Sequence, residues 1–462
     1  MTVSLVVPQA IFEELSLVAA LPEETAGVML AGVAEAPNSD VRLLVRGMRW
    51  VGESAYSRRQ WNGLTIRPEG YVPALSEAET IGAMCIWVHT HPGMGASPEA
   101  SEHDRIVDQE IADLFRLRSG NAYYGALIFS PRPSHLAFTG HLHHEDRHPL
   151  LIDRLWQVGD RWRLTRGFDS ALPELTPTFD RNVRAFGSSV QQTLGDLRIG
   201  VVGCGGTGSA VAEQLVRLGV RHLLLIDPDL LSDSNLTRVY GSIAADVGQP
   251  KVDVLARHLR RIAPELDCET SQSMVTLEAT ARRLIQCDVA FGCTDDNAGR
   301  LVLSRLATYL LTPVIDCGVL LSSGYDGQLI GIDGRVTVLS PGHACLVCRD
   351  RIDLARARAE LLTPDERVRR EDEGYAPALA RTEPAVVTFT TLVAATAISE
   401  LLERLIGYGP DRRPSEILLR CHEREISTNI ASPREGHYCH PSGSKLGIGM
   451  TKPFLDQTWP SL

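Results

Sequence analysis

Cationic excess is the first thing missing from this sequence. Against 57 Asp and Glu stand 46 Lys and Arg, leaving a formal net charge of −11 over 462 residues. Nucleic acid and anionic membrane both require a cationic footprint, so the expected partners are proteins and small molecules. A long apolar run is missing too. The greasiest stretch, Val386 to Leu402, is interrupted by Thr388, Thr390, Thr391, Thr396, Ser399 and Glu400, which argues against a membrane-spanning helix. The N-terminus shows no basic segment leading into an apolar one, and a cytoplasmic protein is expected. Cysteine is too sparse for a disulfide scaffold: of the ten, only Cys345-Leu346-Val347-Cys348 has metal-ligand spacing. No internal repeat is present.

What is there divides into pieces of different rhythm, all of them α/β. Residues 1–145 alternate short strands and helices: strands over Ser4–Val7, Gly27–Val33, Val41–Val51, Cys85–His89, Ala122–Phe129 and His135–His141, and helices over Gln9–Ala20 and Ser101–Leu117. Residues 146–177 are rich in charge, Trp and Pro with weak periodicity, and read as a linker in which Leu155 to Trp162 docks on a neighbour. Residues 178–440 follow a strand–helix–strand rhythm that implies parallel pairing, a Rossmann-like doubly wound sheet. Its strands are placed up to Val202, over His222–Asp227, Asp288–Gly292 and Pro313–Gly318; its helices over Thr207–Leu218, Lys251–Ile262 and Ala298–Leu311. Residues 441–462 show no period and are expected to fray.

The first piece carries Trp87-Val88-His89-Thr90-His91-Pro92 and then Ser101-Glu102-His103-Asp104. Imidazoles two apart on a strand share a face, and a carboxylate at the next helix start can join them, so His89, His91 and Asp104 form a zinc site with a coordination position to spare. Hydrolysis would then need a base, for which Glu24 in Glu24-Thr25-Ala26-Gly27 is the candidate, and an oxyanion donor, for which Ser101 is. His103 reads as an exposed helix residue. This order of Glu, His-x-His-Pro and Ser-x-x-Asp resembles the JAB/JAMM isopeptidase family over most of residues 3–140, with a longer spacer between Pro92 and Ser101 and Ala26 in place of a common glycine. The resemblance implies a mixed α/β zinc peptidase that removes or trims ubiquitin-like proteins.

The second piece places Gly203-Cys204-Gly205-Gly206-Thr207-Gly208 after an apolar strand. Glycines there let backbone amides and a helix N-terminus approach phosphates, in NAD, FAD and ATP folds alike. The downstream cations discriminate: Asn235-Leu236-Thr237-Arg238, Lys251, and Cys293-Thr294-Asp295-Asp296-Asn297 with Arg300 supply what a triphosphate wants and a dinucleotide does not. The set resembles the ThiF/MoeB/HesA superfamily of ubiquitin-like-protein activating enzymes. That resemblance implies ATP with its phosphates on the turn Gly203, Gly205 and Gly208, ribose on Asp227, phosphates held by Asn235, Arg238 and Lys251, and Mg2+ on Asp295. It further implies an Arg reaching into a partner subunit's ATP site, best matched by Arg181 and next by Arg184, and hence a homodimer.

The same family often pairs its Cys-x-x-Cys with a second pair near the domain end as structural Zn2+ ligands. Here the end reads Gly436-His437-Tyr438-Cys439-His440, so the expected set is Cys345, Cys348, His437 and His440, with Cys439 as the alternative. Where the family often keeps a thioester cysteine this chain has Gly374-Tyr375-Ala376-Pro377, and none stands between Cys348 and Cys421. Cys317 reads as packing. The function implied is a bacterial-type fusion: adenylation of the C-terminal glycine of a ubiquitin-like or sulfur-carrier protein, joined to a peptidase that processes the same protein. A separate conjugating or sulfur-transfer protein would receive the acyl group. Sulfur-carrier activation for cofactor or cysteine synthesis, and an activating enzyme with an inert docking module, are the alternatives.

Overall fold

The computed structural model describes residues 1–460 other than 134, 146, 169, 172, 324–327, 363–365, 367–384 and 411–412. The Gly374–Pro377 stretch lies outside the described residues. Two compact units result: one comprises Met1–Ala171 with Tyr309–Leu311 and Ser444–Thr451, the other the remainder.

The first unit runs β1 (Val3–Pro8), α1 (Gln9–Ala19), β2 (Ala26–Glu35), β3 (Val41–Trp50), β4 (Tyr56–Gln60), β5 (Gly63–Ile66), α2 (Val72–Ile81), β6 (Met84–Thr90), α3 (Glu102–Ser119), β7 (Tyr123–Pro131), β8 (Leu136–His144), β9 (Arg147–Leu151), β10 (Arg154–Val158) and β11 (Arg163–Arg166). Nine strands form one sheet in the order β11-β10-β1-β3-β2-β6-β7-β8-β9, and β4 and β5 form a separate hairpin. The strands are apolar at consecutive positions because both faces are covered. Met29, Ile86 and Val88 join one cluster with Phe12 and Leu15 of α1, whereas Val28, Leu30 and Cys85 join another with Leu75 of α2 and Phe115 of α3. By the two-residue period of a strand, His89 shares the face of Cys85 and Trp87, which is the face α3 covers.

Two expectations are corrected here. Residues 146–177 are not a plain linker: β10 pairs in parallel with β1, and Trp156 and Trp162 are buried at 0% and 2% exposure. Each aromatic needs an apolar cover, and the weak periodicity hid three short strands. Residues 441–460 are packed against the fold. Gly449 bridges Val33, and a Cβ on Gly32 would lie 2.1 Å from the Gly447 oxygen, so only glycine admits that crossing.

In the second unit α4 (Asp180–Phe186) and α5 (Ser188–Asp196) lead into β12 (Arg198–Val202), α6 (Gly206–Arg217), β13 (His222–Ile226), α7 (Lys251–Ile262), β14 (Asp267–Ser271), α8 (Glu278–Arg283), β15 (Val289–Gly292), α9 (Asn297–Tyr309), β16 (Val314–Ser323), β17 (Leu329–Leu339), α10 (Leu354–Glu360), α11 (Val387–Ile406), β18 (Glu416–Arg420) and β19 (Glu425–Asn429). The sheet order is β14-β13-β12-β15-β16-β17-β18-β19. The first five are parallel and the last three add antiparallel hairpins. Chain direction across the sheet reverses between β12 and β15, and ligands of open α/β sheets bind outside the strand ends at such a switch. The greasy Val386–Leu402 stretch is α11, whose Val393, Ala397 and Leu401 are buried. No described helix is long and apolar enough to cross a membrane.

The chain end belongs to this unit's core. Phe454 is 1% exposed, stacks with Trp459 at 5.9 Å and lies under the Arg282 guanidinium, while Arg305 donates to the Asp456 carbonyl at 2.7 Å. Phe454→Ala is therefore expected to cost about 3–5 kcal/mol, read as a lower denaturant midpoint for the unit's transition. An unchanged midpoint would restore the fraying tail.

Candidate functional site

In the first unit the strand β6 ends at Thr90, and His89 and His91 straddle that end. Their rings sit 5.2 Å apart. Ser101 caps α3 through a capping box: its Oγ accepts from the Asp104 amide at 3.2 Å and donates to Asp104 Oδ2 at 2.7 Å, and its amide donates to the same oxygen at 2.8 Å. Asp104 is thereby turned to the histidines, Oδ1 lying 3.5 Å from His89 Nε2 and Oδ2 3.9 Å from His91 Nε2. The three donor groups all lie within 4.8 Å of one another. His91 Nδ1 is 2.7 Å from the Ser97 carbonyl, a contact that fixes the other ring nitrogen as the one facing the site.

Burial pushes the Asp104 carboxyl up, but the neighbouring His89 imidazole and the two hydrogen bonds from Ser101 outweigh it and hold the group low. Glu24 stands just before β2, its amide bonded to the Gln60 carbonyl at 2.9 Å and its own carbonyl accepting from Arg59 at 3.1 Å. Burial raises its carboxyl against the pull of His91, with Asp104 adding to the rise. Ser101 differs from expectation. Its hydroxyl proton is engaged by Asp104, so as placed it orients a carboxylate instead of serving an oxyanion. His103 is exposed, as its position in α3 implies.

The donor chemistry fits zinc. Nε2 of His89, in a residue only 6% exposed, makes no well-formed hydrogen bond and faces Asp104 Oδ1 at a loose 3.5 Å, a spacing that suits two ligands of one cation better than a direct bond.

In the second unit the turn after β12 is shaped by close backbone approach. Gly203 has φ +92, and a Cβ there would meet the Cys293 oxygen at 2.6 Å. On Gly208 a Cβ would meet the Gly203 oxygen at 1.7 Å, whereas on Gly205 it would meet nothing. The first and third glycines thus close the turn onto the sheet and the second faces open space, at the N-terminus of α6, where no side chain caps the amides. Asp227, buried after β13, accepts from the Cys204 amide at 2.6 Å and the Asp229 amide at 2.9 Å. Burial raises its carboxyl despite Lys251, whose Nζ is 4.0 Å away.

Lys251 is 9% exposed at the start of α7 and bonds Asp229 Oδ2 at 2.6 Å. Asn235 is buried and its Oδ1 accepts from the Ser232 amide at 3.1 Å. Arg238 donates to the Ser234 carbonyl at 2.8 Å, and its stem crosses Gly206, where a Cβ would be 3.2 Å from Cδ. Asp295 follows β15 and is exposed, with no hydrogen bond or ion pair among the described residues; its neighbour Asp296 instead caps α9 by accepting from the Gly299 amide. A carboxylate exposed at the strand ends fits magnesium. Arg181 is exposed on α4 and engages no described residue, while Arg184 pairs with Asp180 at 2.9 Å. Arg300 and Arg335 both flank the buried Asp316.

A third cluster corrects a ligand. His437 Nδ1 lies 3.6 Å from Cys345 Sγ, 3.3 Å from Cys348 Sγ and 3.3 Å from Cys439 Sγ. His440 faces away, its Nδ1 2.7 Å from Ser442 Oγ. The set is three cysteines and one histidine because the tight turns after His437 and His440 bring Cys439, not His440, inward. A hydrogen bond from Cys439 holds the Cys345 thiol well below its ordinary range. Four soft donors of this kind match tetrahedral zinc. Cys317 is buried on β16, as packing.

Two further residues escaped the sequence. Asp229, the partner of Lys251, was signalled by the Asp227-Pro228-Asp229 spacing; Asp108, one turn beyond Asp104, carried no signal beyond its helical period.

Comparison with known proteins bears on the second unit. Residues 179–438 match the ThiF family model. The chain is 31% identical over 172 residues to the molybdopterin-synthase adenylyltransferase of Escherichia coli, covering 37% of this chain and 65% of that protein. It is 32% identical over 140 residues to the sulfur carrier protein ThiS adenylyltransferase of the same organism, covering 30% and 55%. A tRNA threonylcarbamoyladenosine dehydratase of Bacillus subtilis is 41% identical over 91 residues, 20% of this chain and 35% of that one. The chain thus spans less than two thirds of each of these relatives. Among solved structures, E. coli MccB with ATP aligns at TM-score 0.45 and 17% identity over 58% of this chain and 76% of that one. With a family model matched across more than half its length, and the glycine turn, Asp227 and the cation set gathered at the ends of its parallel strands, the chain belongs to the ThiF family.

Proposed function

We propose that the second unit adenylates the C-terminal glycine of a ubiquitin-like or sulfur-carrier protein with ATP, and that the first is a JAMM-type zinc isopeptidase acting on the same carrier. The observation that carries the first half is the cation set beside the glycine turn. Arg238 crosses the first turn of α6 and Lys251 is held at the end of β13, where a triphosphate lying on the α6 amides would meet both. The carrier's carboxylate attacks the α-phosphorus, the bond to the bridging oxygen of the β-phosphate breaks, and pyrophosphate leaves. Lys251 then exchanges Asp229 for phosphate, Asp227 receives the ribose, and positioning with charge stabilisation supplies the rate. Magnesium on Asp295 would neutralise the polyphosphate when bound. Arg181, exposed on α4 with no partner among the described residues, suits a reach into a second copy's site, and a homodimer belongs to the reading. A separate conjugating or sulfur-transfer protein would take the acyl group.

The second half is supported by the convergence of His89, His91 and Asp104, with Glu24 raised by burial within reach of their charges. Zinc held by those three would supply Lewis acidity. Glu24 would take a proton from the attacking water and return it to the leaving amine. The three cysteines and His437 would hold a structural zinc.

Lys251→Ala is expected to slow ATP–pyrophosphate exchange, driven by a carrier ending in glycine, by roughly 10²-fold, the effect of losing one donor to developing charge. Exchange that needs no carrier, or survives the substitution, would overturn the adenylation reading. For the peptidase, Glu24→Gln should reduce cleavage of a carrier–peptide fusion by about 10²–10⁴-fold; equal cleavage by both proteins would remove Glu24 from the mechanism. Metal analysis of the purified chain should find two zinc ions, one of them lost in Cys439→Ser and both kept in His440→Ala. The reverse pattern would reinstate His440 as ligand.

A further inference from the structure

The Asp104 carboxylate must sit between two histidines, yet little apolar packing holds the part of α3 that carries it. The buried residues of α3 are Ala112, Phe115 and Ser119, all in its second half, while Ile106 is 51% exposed. One turn after Asp104, on the same face, stands Asp108. Its Oδ1 accepts from the Tyr124 hydroxyl at 2.6 Å, and its Oδ2 lies 3.1 Å from His143 Nε2. Tyr124 is fully buried in β7 and pairs directly across the sheet with His143 of β8. β7 is also the parallel neighbour of β6, in the register His89 with Ile128 and Cys85 with Tyr124.

We infer that Asp108 is a positioning residue for the first site: with Tyr124 and His143 it braces the first half of α3 against the sheet that carries His89, and so sets where the Asp104 carboxylate lies. The inference rests on the reading of His89, His91 and Asp104 as a zinc site. A buried tyrosine hydroxyl is costly unless satisfied, and the half-buried Asp108 carboxylate at the edge of the helix is what satisfies it, so the network specifies one arrangement of helix on strand in a way that Phe115 and Ala112 alone do not. Ser101 fixes the rotation of Asp104 about the helix start, and Asp108 fixes the helix itself. Outer partners that orient metal ligands act in this way without touching substrate.

The test is zinc affinity of the full chain by competition with a chromophoric chelator, His89→Ala giving the trace of the cysteine site alone. Asp108→Ala should weaken the first site by about 10–100-fold, the range for lost outer partners. Tyr124→Phe should weaken it in the same direction, and Asp108→Asn, which keeps an acceptor for the hydroxyl, should restore most of the affinity. Phe115→Leu, which thins the helix packing but leaves the brace, should lower the melting midpoint and leave affinity unchanged. Wild-type affinity in both Asp108→Ala and Tyr124→Phe would overturn the inference, as would a loss in Phe115→Leu equal to theirs. If wild type and His89→Ala bind zinc identically, the zinc reading itself falls, an outcome distinct from tight wild-type binding that ignores Asp108.

Discussion

A buried ammonium cannot stand alone, and the second unit is arranged around that constraint. Lys251 is almost wholly enclosed, between Asp229 at 2.6 Å and Asp227 at 4.0 Å. Both carboxylates are supplied by the turn that leaves β13, and the Cys204 amide of the glycine turn ties Asp227 back to β12. One charge-assisted network therefore joins the ends of two strands and the start of α7. On the proposed reading, the carboxylates stand where a polyanion's oxygens would be welcome. The proposed exchange of Asp229 for a phosphate would keep the ammonium paired throughout, so the desolvation cost of burying it would be met in both states. Arg238, anchored to the Ser234 carbonyl, supplies a second cation with its stem already laid across Gly206.

Much of this was legible because close backbone approach leaves a residue signature. Only glycine tolerates the 1.7 Å separation from the Gly203 oxygen found at Gly208, so the turn is written in composition. The strand–helix rhythm from Arg198 to Gly318 likewise follows from strands covered on both faces. His89 and His91 were readable for another reason: a two-residue period on a strand forces a shared face, and a Ser-x-x-Asp start to the next helix is a capping signal before it is a chemical one. That capping also gives the Ser101 hydroxyl a partner of its own. The sequence offers a hydroxyl, and only the fold shows that Asp104 engages its proton.

The rest was hidden where the governing interaction is non-local. β10 is five residues long, and its partner β1 lies about 150 positions earlier, so no local period marks it. The chain end has no rhythm because Phe454 and Leu455 are held by Arg282, Arg305 and Trp459, contacts that composition cannot announce. Spacing favours His440, which lies three residues from His437 as Cys348 does from Cys345, and leaves its neighbour Cys439 as the alternative. The turn geometry decides between them: the His440 amide closes back on the His437 carbonyl at 2.9 Å, which turns the imidazole toward Ser442 and leaves Cys439 inside.

The two candidate metal clusters differ in a way that bears on what each would do. Cys345, Cys348, His437 and Cys439 offer four donors, a number that completes a tetrahedron and leaves no place for substrate. His89, His91 and Asp104 offer three, from a strand end and a helix start, with Glu24 held nearby by backbone contacts to the β4–β5 hairpin instead of by the cluster itself. A set of four made wholly of side chains on turns stabilises by closing a loop; a set of three split between sheet and helix is sensitive to how those two elements sit on each other. Such sensitivity is tolerable only if something stiff joins them. The carboxylate of Asp108, gripped by a buried tyrosine on the neighbouring strand, is a polar strut that α3 sends into that sheet close to the histidines, which is why the chemistry proposed for the first unit and the packing of its helix are the same question.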